Sequence, residues 1–363
     1  MSSAVPRMVT LVREAKGWSQ HDLARETGLS QGYLSKVENS LLELTGNKLD
    51  KIAQALDCPV ALLVTDEYIR GIEVTCLHNR NRHSKLTVGA VKKIEATTHL
   101  TRLTVERILA GIDIETQDRL ERMDISEYGD PAGVARALRA RWRLASGPIP
   151  NVVGLMEALG VIVVMRPLGT RAQDAVSTWP HHAIHPPLML INSGLSPDRQ
   201  RFTIPHELGH LVMHVFPTEN QEPEANQFAS EFLTPAEEIE PDLHGLTTGD
   251  FRRLMTLKAH WKVSMGMLIQ RARDLDCISE WQFKEFRIRL SRMGWHTSEP
   301  VDLPSESPSI IQQAISIHLS EHGYTEDQLA QTALMTPAAF RRHYVPDSSG
   351  PGSRPTLRLV RPQ

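Results

Sequence analysis

The stretch Arg201-Phe-Thr-Ile-Pro-His-Glu-Leu-Gly-His-Leu-Val-Met-His214 decides how this chain is read. Within it, His206, Glu207 and His210 spell H-E-x-x-H. Residues four apart sit on one face of a helix, about a turn apart, so both imidazoles can reach a single metal ion. Glu207 points beside that ion, where a carboxylate can take a proton from water. Pro205 is tolerated in a first helical turn and predicts a helix start at that point. With 16 histidines in 363 residues the motif could arise by accident. Ile204, Leu208, Leu211 and Val212 would equally suit a plain amphipathic core helix.

A second segment, Glu222-Pro-Glu-Ala-Asn-Gln-Phe-Ala-Ser-Glu-Phe-Leu-Thr-Pro235, raises the motif above accident. It reads as a helix with Ala225, Phe228, Ala229 and Phe232 as the buried stripe. Two His and one carboxylate suit zinc and leave a fourth position for water. Glu222 and Glu224 both lie near the helix start. Glu222 is favoured, because Asn226 falls four residues later and can brace a His ligand from behind. His214 repeats the four-residue spacing after His210, and a supporting role is expected for it.

The pair of segments resembles the ImmA/IrrE family of zinc metallopeptidases, whose pattern is H-E-x-G-H followed by E-x-x-A-N-x-F-A and a hydrophobic pair before proline. This chain has His206-Glu-Leu-Gly-His210, Glu222-Pro-Glu-Ala-Asn-Gln-Phe-Ala229 and Phe232-Leu-Thr-Pro235. The resemblance covers about residues 130–300. It implies zinc at His206, His210 and Glu222, Glu207 as general base, and a zincin-like helix lying against a small sheet. It also implies a repressor or antitoxin-type protein as substrate.

Toward the N-terminus the pattern changes. Val9, Leu11, Val12 and Ala15 begin one helix, Ser19 caps Gln20–Thr27, Gly28 offers a left-handed turn, and Ser30 caps Gln31–Glu38. Leu49, Ile52, Ala53 and Leu56 close the unit. This is helix-turn-helix spacing, in which the second helix can enter a major groove. The run Trp18–Glu38 resembles the XRE, or Cro/repressor-like, DNA-binding family. By that resemblance Gln20 touches phosphate, and Gln31, Gly32, Tyr33, Ser35 and Lys36 lie on or beside the reading face. Leu23, Ala24, Leu29, Leu34 and Val37 belong to the core. Acidic and basic residues balance here, so a helical unit for protein contacts is the plainer alternative.

Composition bounds the rest. A net charge of −3 and a pI near 6.6 give no overall basic field. Cys58, Cys76 and Cys277 are far apart and odd in number, which argues for a reducing compartment and against a disulfide framework. No apolar run reaches the length of a membrane span or a signal core, so a cytoplasmic protein without a membrane partner is expected. Gly160–Met165, Asp174–Thr178 and Leu188–Asn192 read as short strands. One of them is the candidate edge for binding an extended peptide. His181, His182 and His185 fall in the loop between the last two. His78–Lys85 is a basic stretch that suits either phosphates or a solvated linker.

The expected architecture is mainly α (α+β). An all-α helix-turn-helix unit spans 1–66, and a two-helix connector, also a candidate dimerisation element, spans 67–129. A zincin-like domain covers 130–300, a small helical unit 301–346, and a disordered tail 347–363. Thr325–Phe340 echoes the first helix pair, but Leu334 replaces the turn glycine, so a second DNA reader is not expected. The functional expectation is a transcriptional regulator, working as a homodimer on a double-stranded operator, with a zinc-dependent endopeptidase in the same chain. The rival is a regulator whose metallopeptidase-like fold binds a ligand or partner without turnover.

Overall fold

A computed structural model describes residues 3–66, 86–116, 118, 120–179, 186–215, 218–296 and 298–345, and the backbone of 357–359. The N-terminal unit runs through α1 (Pro6–Ala15), α2 (Gln20–Thr27), α3 (Gln31–Glu38), α4 (Gly46–Leu56) and α5 (Val60–Val64). Ser19 accepts from the Asp22 N–H while Asp22 accepts from the Ser19 N–H, which closes a capping box on α2. Gly28 then turns the chain at φ 69°, and Ser30 caps α3. Val9, Leu23, Leu34, Ile52 and Leu63 form the buried centre. Arg13 holds Glu38 through two hydrogen bonds of 2.7 and 2.9 Å and so ties α1 to α3.

Within the described part of the connector, Val88–Ile108 is one continuous helix, α6, followed by β1 (Ile112–Ile114). In its polar middle the buried Thr98 and Thr101 hydroxyls are satisfied within the helix, donating back to the carbonyls of Ile94 and Thr97. The basic stretch His78–Lys85 and the loop histidines His181, His182 and His185 lie outside the described residues.

Next come α7 (Ile125–Tyr128), α8 (Pro131–Arg141) and α9 (Val152–Ala158), and then the strands β2 (Ile162–Arg166), β3 (Ala175–Thr178) and β4 (Leu188–Asn192). The sheet order is β2-β4-β3, with β2 parallel to β4 and β3 antiparallel to it, so that Ile162 and Thr178 both face Leu188. Alternation along the strands gives two buried faces. Val163, Ala175, Met189 and Ile191 face the core built by α10 (Pro197–Met213) and α11 (Gln221–Leu233). Ile162, Val164, Val176, Leu188 and Leu190 face the other way. The first core is completed by α12 (Ala236–Leu243), α13 (Phe251–Trp261), α14 (Met265–Asp274) and α15 (Glu280–Arg292).

The second sheet face is covered by α6 together with α16 (Ile310–Ser320), α17 (Glu326–Thr332) and α18 (Pro337–Tyr344). The connector and the C-terminal helices therefore share one core with the sheet. Leu334, in the turn between α17 and α18, takes the left-handed φ of 55° that a glycine would adopt more easily. Its side chain is buried with the N-terminal core, as is Leu103 of α6. That packing is the physical reason the turn forms without glycine. Within the tail expected to be disordered, β5 (Leu357–Leu359) pairs antiparallel with β1, which supplies backbone partners that the sequence alone did not suggest.

Pro205 does not start its helix. α10 begins at Pro197, and Pro205 lies in its interior, where the missing N–H leaves the Arg201 carbonyl without its intrahelical donor. Contacts from distant chain hold the preceding turns. The buried Arg201 guanidinium pairs with Glu306 and donates to the carbonyls of Lys262 and Ile149. Gln200 donates to the Glu306 carbonyl, and the Glu306 carboxylate caps α9 at the Val152 and Val153 amides. Burial pushes the Arg201 pKa down to about 10.

Two stability measurements follow from this packing. Arg201→Met leaves Glu306 buried without its charge partner, and a loss of about 3–5 kcal/mol is expected in urea unfolding. Burial first, then Arg7 and Arg102, lowers the His99 pKa to about 4. The folded ring stays neutral while the unfolded one takes a proton below about 6.5, so His99 weakens the fold as pH falls from 6.5 toward 4. His99→Gln is expected to shrink the stability difference between about pH 7 and pH 5 by about 1–2 kcal/mol.

Candidate metal centre

α10 carries His206, Glu207 and His210, and α11 crosses it closely because Gly209 lies against Phe228. A Cβ on Gly209 would stand 3.1 Å from Phe228 Cδ1 and 3.4 Å from Ala225 Cα. Phe228 stacks on Phe232 at 5.6 Å between ring centroids, which fixes the buried stripe of α11 against α10. That approach brings Glu222, in the first turn of α11, to the two imidazoles.

The Nε2 atoms of His206 and His210 are 3.1 Å apart, and Glu222 lies 3.6 Å from the first and 3.4 Å from the second. Among the described residues, His206, His210 and Glu222 form a group whose ligand atoms all lie within 4.8 Å of one another. The outer hydrogen bonds fix the tautomers. Asn226 Oδ1 faces His206 Nδ1 at 3.0 Å and accepts its proton, leaving a lone pair on Nε2. Glu224 Oε2 accepts from His214 Nε2 at 2.9 Å. His214 Nδ1 then accepts from His210 Nδ1, also at 2.9 Å, and His210 Nε2 keeps its lone pair. Two lone pairs and a carboxylate converging in a buried site are a donor set for a divalent cation. Burial, then the neighbouring His210, lowers the His214 pKa to about 3, so this ring is neutral near pH 7.

Glu207 is 1% exposed and accepts a 2.7 Å hydrogen bond from Ser177 of β3. Sequence reasoning had not singled out Ser177. The signal was present in the strand alternation, which puts Ser177 on the same face as Ala175, toward α10. Glu224, weighed as a ligand, sits instead on His214. Asn226 and His214 stand behind the two imidazoles.

Residues 156–273, which hold this cluster, match the family described as the IrrE N-terminal-like domain, peptidase M78. The chain carries an IrrE-like metallopeptidase domain. Residues 11–63 match the helix-turn-helix family of the XRE type, so the chain also carries a DNA-binding unit. A hypothetical transcription factor from Neisseria meningitidis is 44% identical over 46 residues, 13% of this chain. The match spans 43% of that protein's own length.

In the helix-turn-helix, Gln31, Gly32 and Lys36 are exposed, while Tyr33, Ser35 and Gln20 are half-buried. Gln20 donates to Glu38 at 2.9 Å and accepts from Gln31 at 2.8 Å, which joins the start of α2 to that of α3. Lys48 lies 4.2 Å over the Tyr33 ring. Leu41 and Leu42, after α3, are exposed. Among the described residues, no helix is long and apolar enough to cross a membrane.

Gly209→Val tests the close approach of the two helices. The added methyls meet Phe228, and a loss of about 1–3 kcal/mol in denaturant unfolding is expected. Weaker zinc binding by equilibrium dialysis should accompany it, as Glu222 is pushed from the imidazoles.

Proposed function

We propose that this protein is a cytoplasmic DNA-binding transcriptional regulator with a zinc-dependent endopeptidase in the same chain. The observation that carries the peptidase half is the convergence of His206, His210 and Glu222 beside a Glu207 held by Ser177. His206 and His210 would hold zinc through Nε2 and Glu222 through its carboxylate, with Asn226 and His214 orienting the rings. The bound ion would supply Lewis acidity to a peptide carbonyl and to water. Glu207 takes a proton from the attacking water and later delivers it to the leaving amine. The Ser177 hydrogen bond fixes the position of the buried Glu207 carboxylate. β3 is an edge strand beside α10, and an extended peptide pairing along it would lie next to Glu207.

For the DNA half, Gln20 is assigned to phosphate and Gln31, Gly32, Tyr33, Ser35 and Lys36 to the reading face, with a homodimer spanning two half-sites of a double-stranded operator. The match to the transcription factor noted above supports this half. A repressor or antitoxin-type protein is the proposed substrate, and its cleavage would alter expression of the genes it controls.

Purified protein loaded with zinc and mixed with repressors encoded beside it should cut them at a limited site. Glu207→Gln should lower the rate by about 10²–10⁴-fold while zinc content stays unchanged. Equal cleavage by that variant would remove Glu207 from the mechanism. Absence of any cleavage by the zinc-loaded wild type would favour the non-catalytic regulator. Glu222→Ala and His206→Ala should each lose zinc by metal analysis, and retention of zinc by both would dismiss the ligand assignment. Deleting residues 1–66 should abolish the sequence-specific shift of promoter fragments.

A further inference from the structure

We propose that α17–α18 is a second helix-turn-helix unit that contacts duplex DNA through the exposed face of α18. The inference goes beyond the function above, and its analogy rests on the first pair being a DNA binder. Ser19, Gly28 and Ser30 in the first pair correspond, at equal spacings, to Thr325, Leu334 and Thr336 in the second. Thr325 closes a capping box with Gln328 as Ser19 does with Asp22. Thr336 caps α18 at the Ala339 amide as Ser30 caps α3 at the Tyr33 amide. Leu334 repeats the left-handed turn of Gly28, at φ 55° against 69°. The buried Leu23 and Leu34 and the half-buried Ala24 have buried counterparts in Leu329, Phe340 and Ala330.

A leucine adopts that conformation far less readily than a glycine, because its Cβ crowds the following carbonyl oxygen. The turn is nevertheless kept, with the Leu334 side chain packed in the N-terminal core. Lys262, at φ 55°, makes a similar turn between α13 and α14, followed by the Ser264 cap. There, however, the outward side of α14 carries Gly266, Gln270, Arg273 and Asp274, where the Arg273 cation is matched by Asp274 on the same helix at 3.0 Å, so that face has no net positive charge. α18 differs in exposing Ala338, Arg341 and Arg342.

Arg341 and Arg342 stand where Ser35 and Lys36 stand on α3, so both pairs carry a cation at the Lys36 place. Arg341 lies 3.6 Å from Glu326 and 3.4 Å from Asp327, with all three side chains well exposed. Such exposed pairs hold weakly and exchange readily for a phosphate partner. Glu326 and Asp327 replace Gln20 and His21 at the start of α17. Contact with the DNA backbone therefore falls to Arg341 and Arg342 rather than to the start of α17.

The test uses the full chain and a mixed-sequence duplex of about 40 base pairs, with binding read by fluorescence anisotropy between about 50 and 200 mM salt. Arg341→Ala/Arg342→Ala should make the log–log salt slope shallower by about 2, near 0.9 for each lost phosphate contact. Arg341→Lys/Arg342→Lys should keep most of the slope. Lys36→Ala, measured in parallel, should remove about 1 from the slope through the first pair. If the alanine variant melts early, Arg342→Glu is read in its place. An unchanged slope in the alanine or Glu variant overturns the proposal, and a change confined to Lys36→Ala leaves only the first pair as a reader. A change confined to the arginine variants supports the second unit and removes the first.

Discussion

The candidate site depends on one close contact, α10 against α11 at Gly209 and Phe228. The H-E-x-x-H spacing aligns two imidazoles but supplies no third ligand. That ligand comes from a separate helix, and its reach is set by how near the two helix axes lie. A glycine at the crossing lets the Phe228 ring lie against the α10 backbone, and the stacked Phe232 continues the contact. Steric closeness thus becomes electrostatic convergence, because a carboxylate is placed against two buried nitrogens. The outer ring of Asn226, His214 and Glu224 then decides which nitrogen of each imidazole carries the proton. A cation needs those lone pairs facing inward.

The sheet joins the rest of the chain to that centre. Ser177 points to α10 and holds Glu207. The next residue, Thr178, points to the opposite face, where the buried Arg102 of α6 donates to its carbonyl at 3.1 Å and also reaches the Pro186 carbonyl. Arg166 of β2 donates to Thr101 on the same helix. One helical position beyond Arg102, Leu103 is buried in the core of the DNA-binding unit. A continuous path of packed and hydrogen-bonded groups therefore runs from the N-terminal helices through α6 and β3 to Glu207. The C-terminal helices close the second face of the sheet and touch the N-terminal core through Leu334. The connector and the C-terminal unit are structural parts of this assembly.

Much of this was legible in the sequence where the governing physics is local. Ser19, Gly28 and Ser30 mark the ends of α2 and α3 because capping and left-handed turns involve residues a few positions apart. The three strands around the site were readable from their β-branched, apolar runs. Local rules failed where distant chain supplied the missing partner. Pro205 suggested a helix start, yet Arg201 and Gln200 are held by Glu306 from far along the chain, so the helix begins earlier. Leu334 suggested a broken echo, yet burial in another unit's core offsets its backbone preference. The apolar spacing read as two helices in the connector, yet Val88–Ile108 runs as one, with its buried Thr98 and Thr101 hydroxyls satisfied inside it.

By itself the sequence determined the kinds of ligand and their pairing on one helix, since spacing on a helix fixes which side chains share a face. It also determined the helix-turn-helix, since caps and turn residues act over single turns. The Asn226 spacing already favoured Glu222 over Glu224. Only the tertiary structure brings Glu222 to the two imidazoles and Glu224 to His214, because that depends on the position and direction of a neighbouring helix. It likewise decided that Ser177 meets Glu207 and that the connector, the sheet and the C-terminal helices form one core. Those contacts join residues far apart in the chain, and their geometry exists only once the layers have packed.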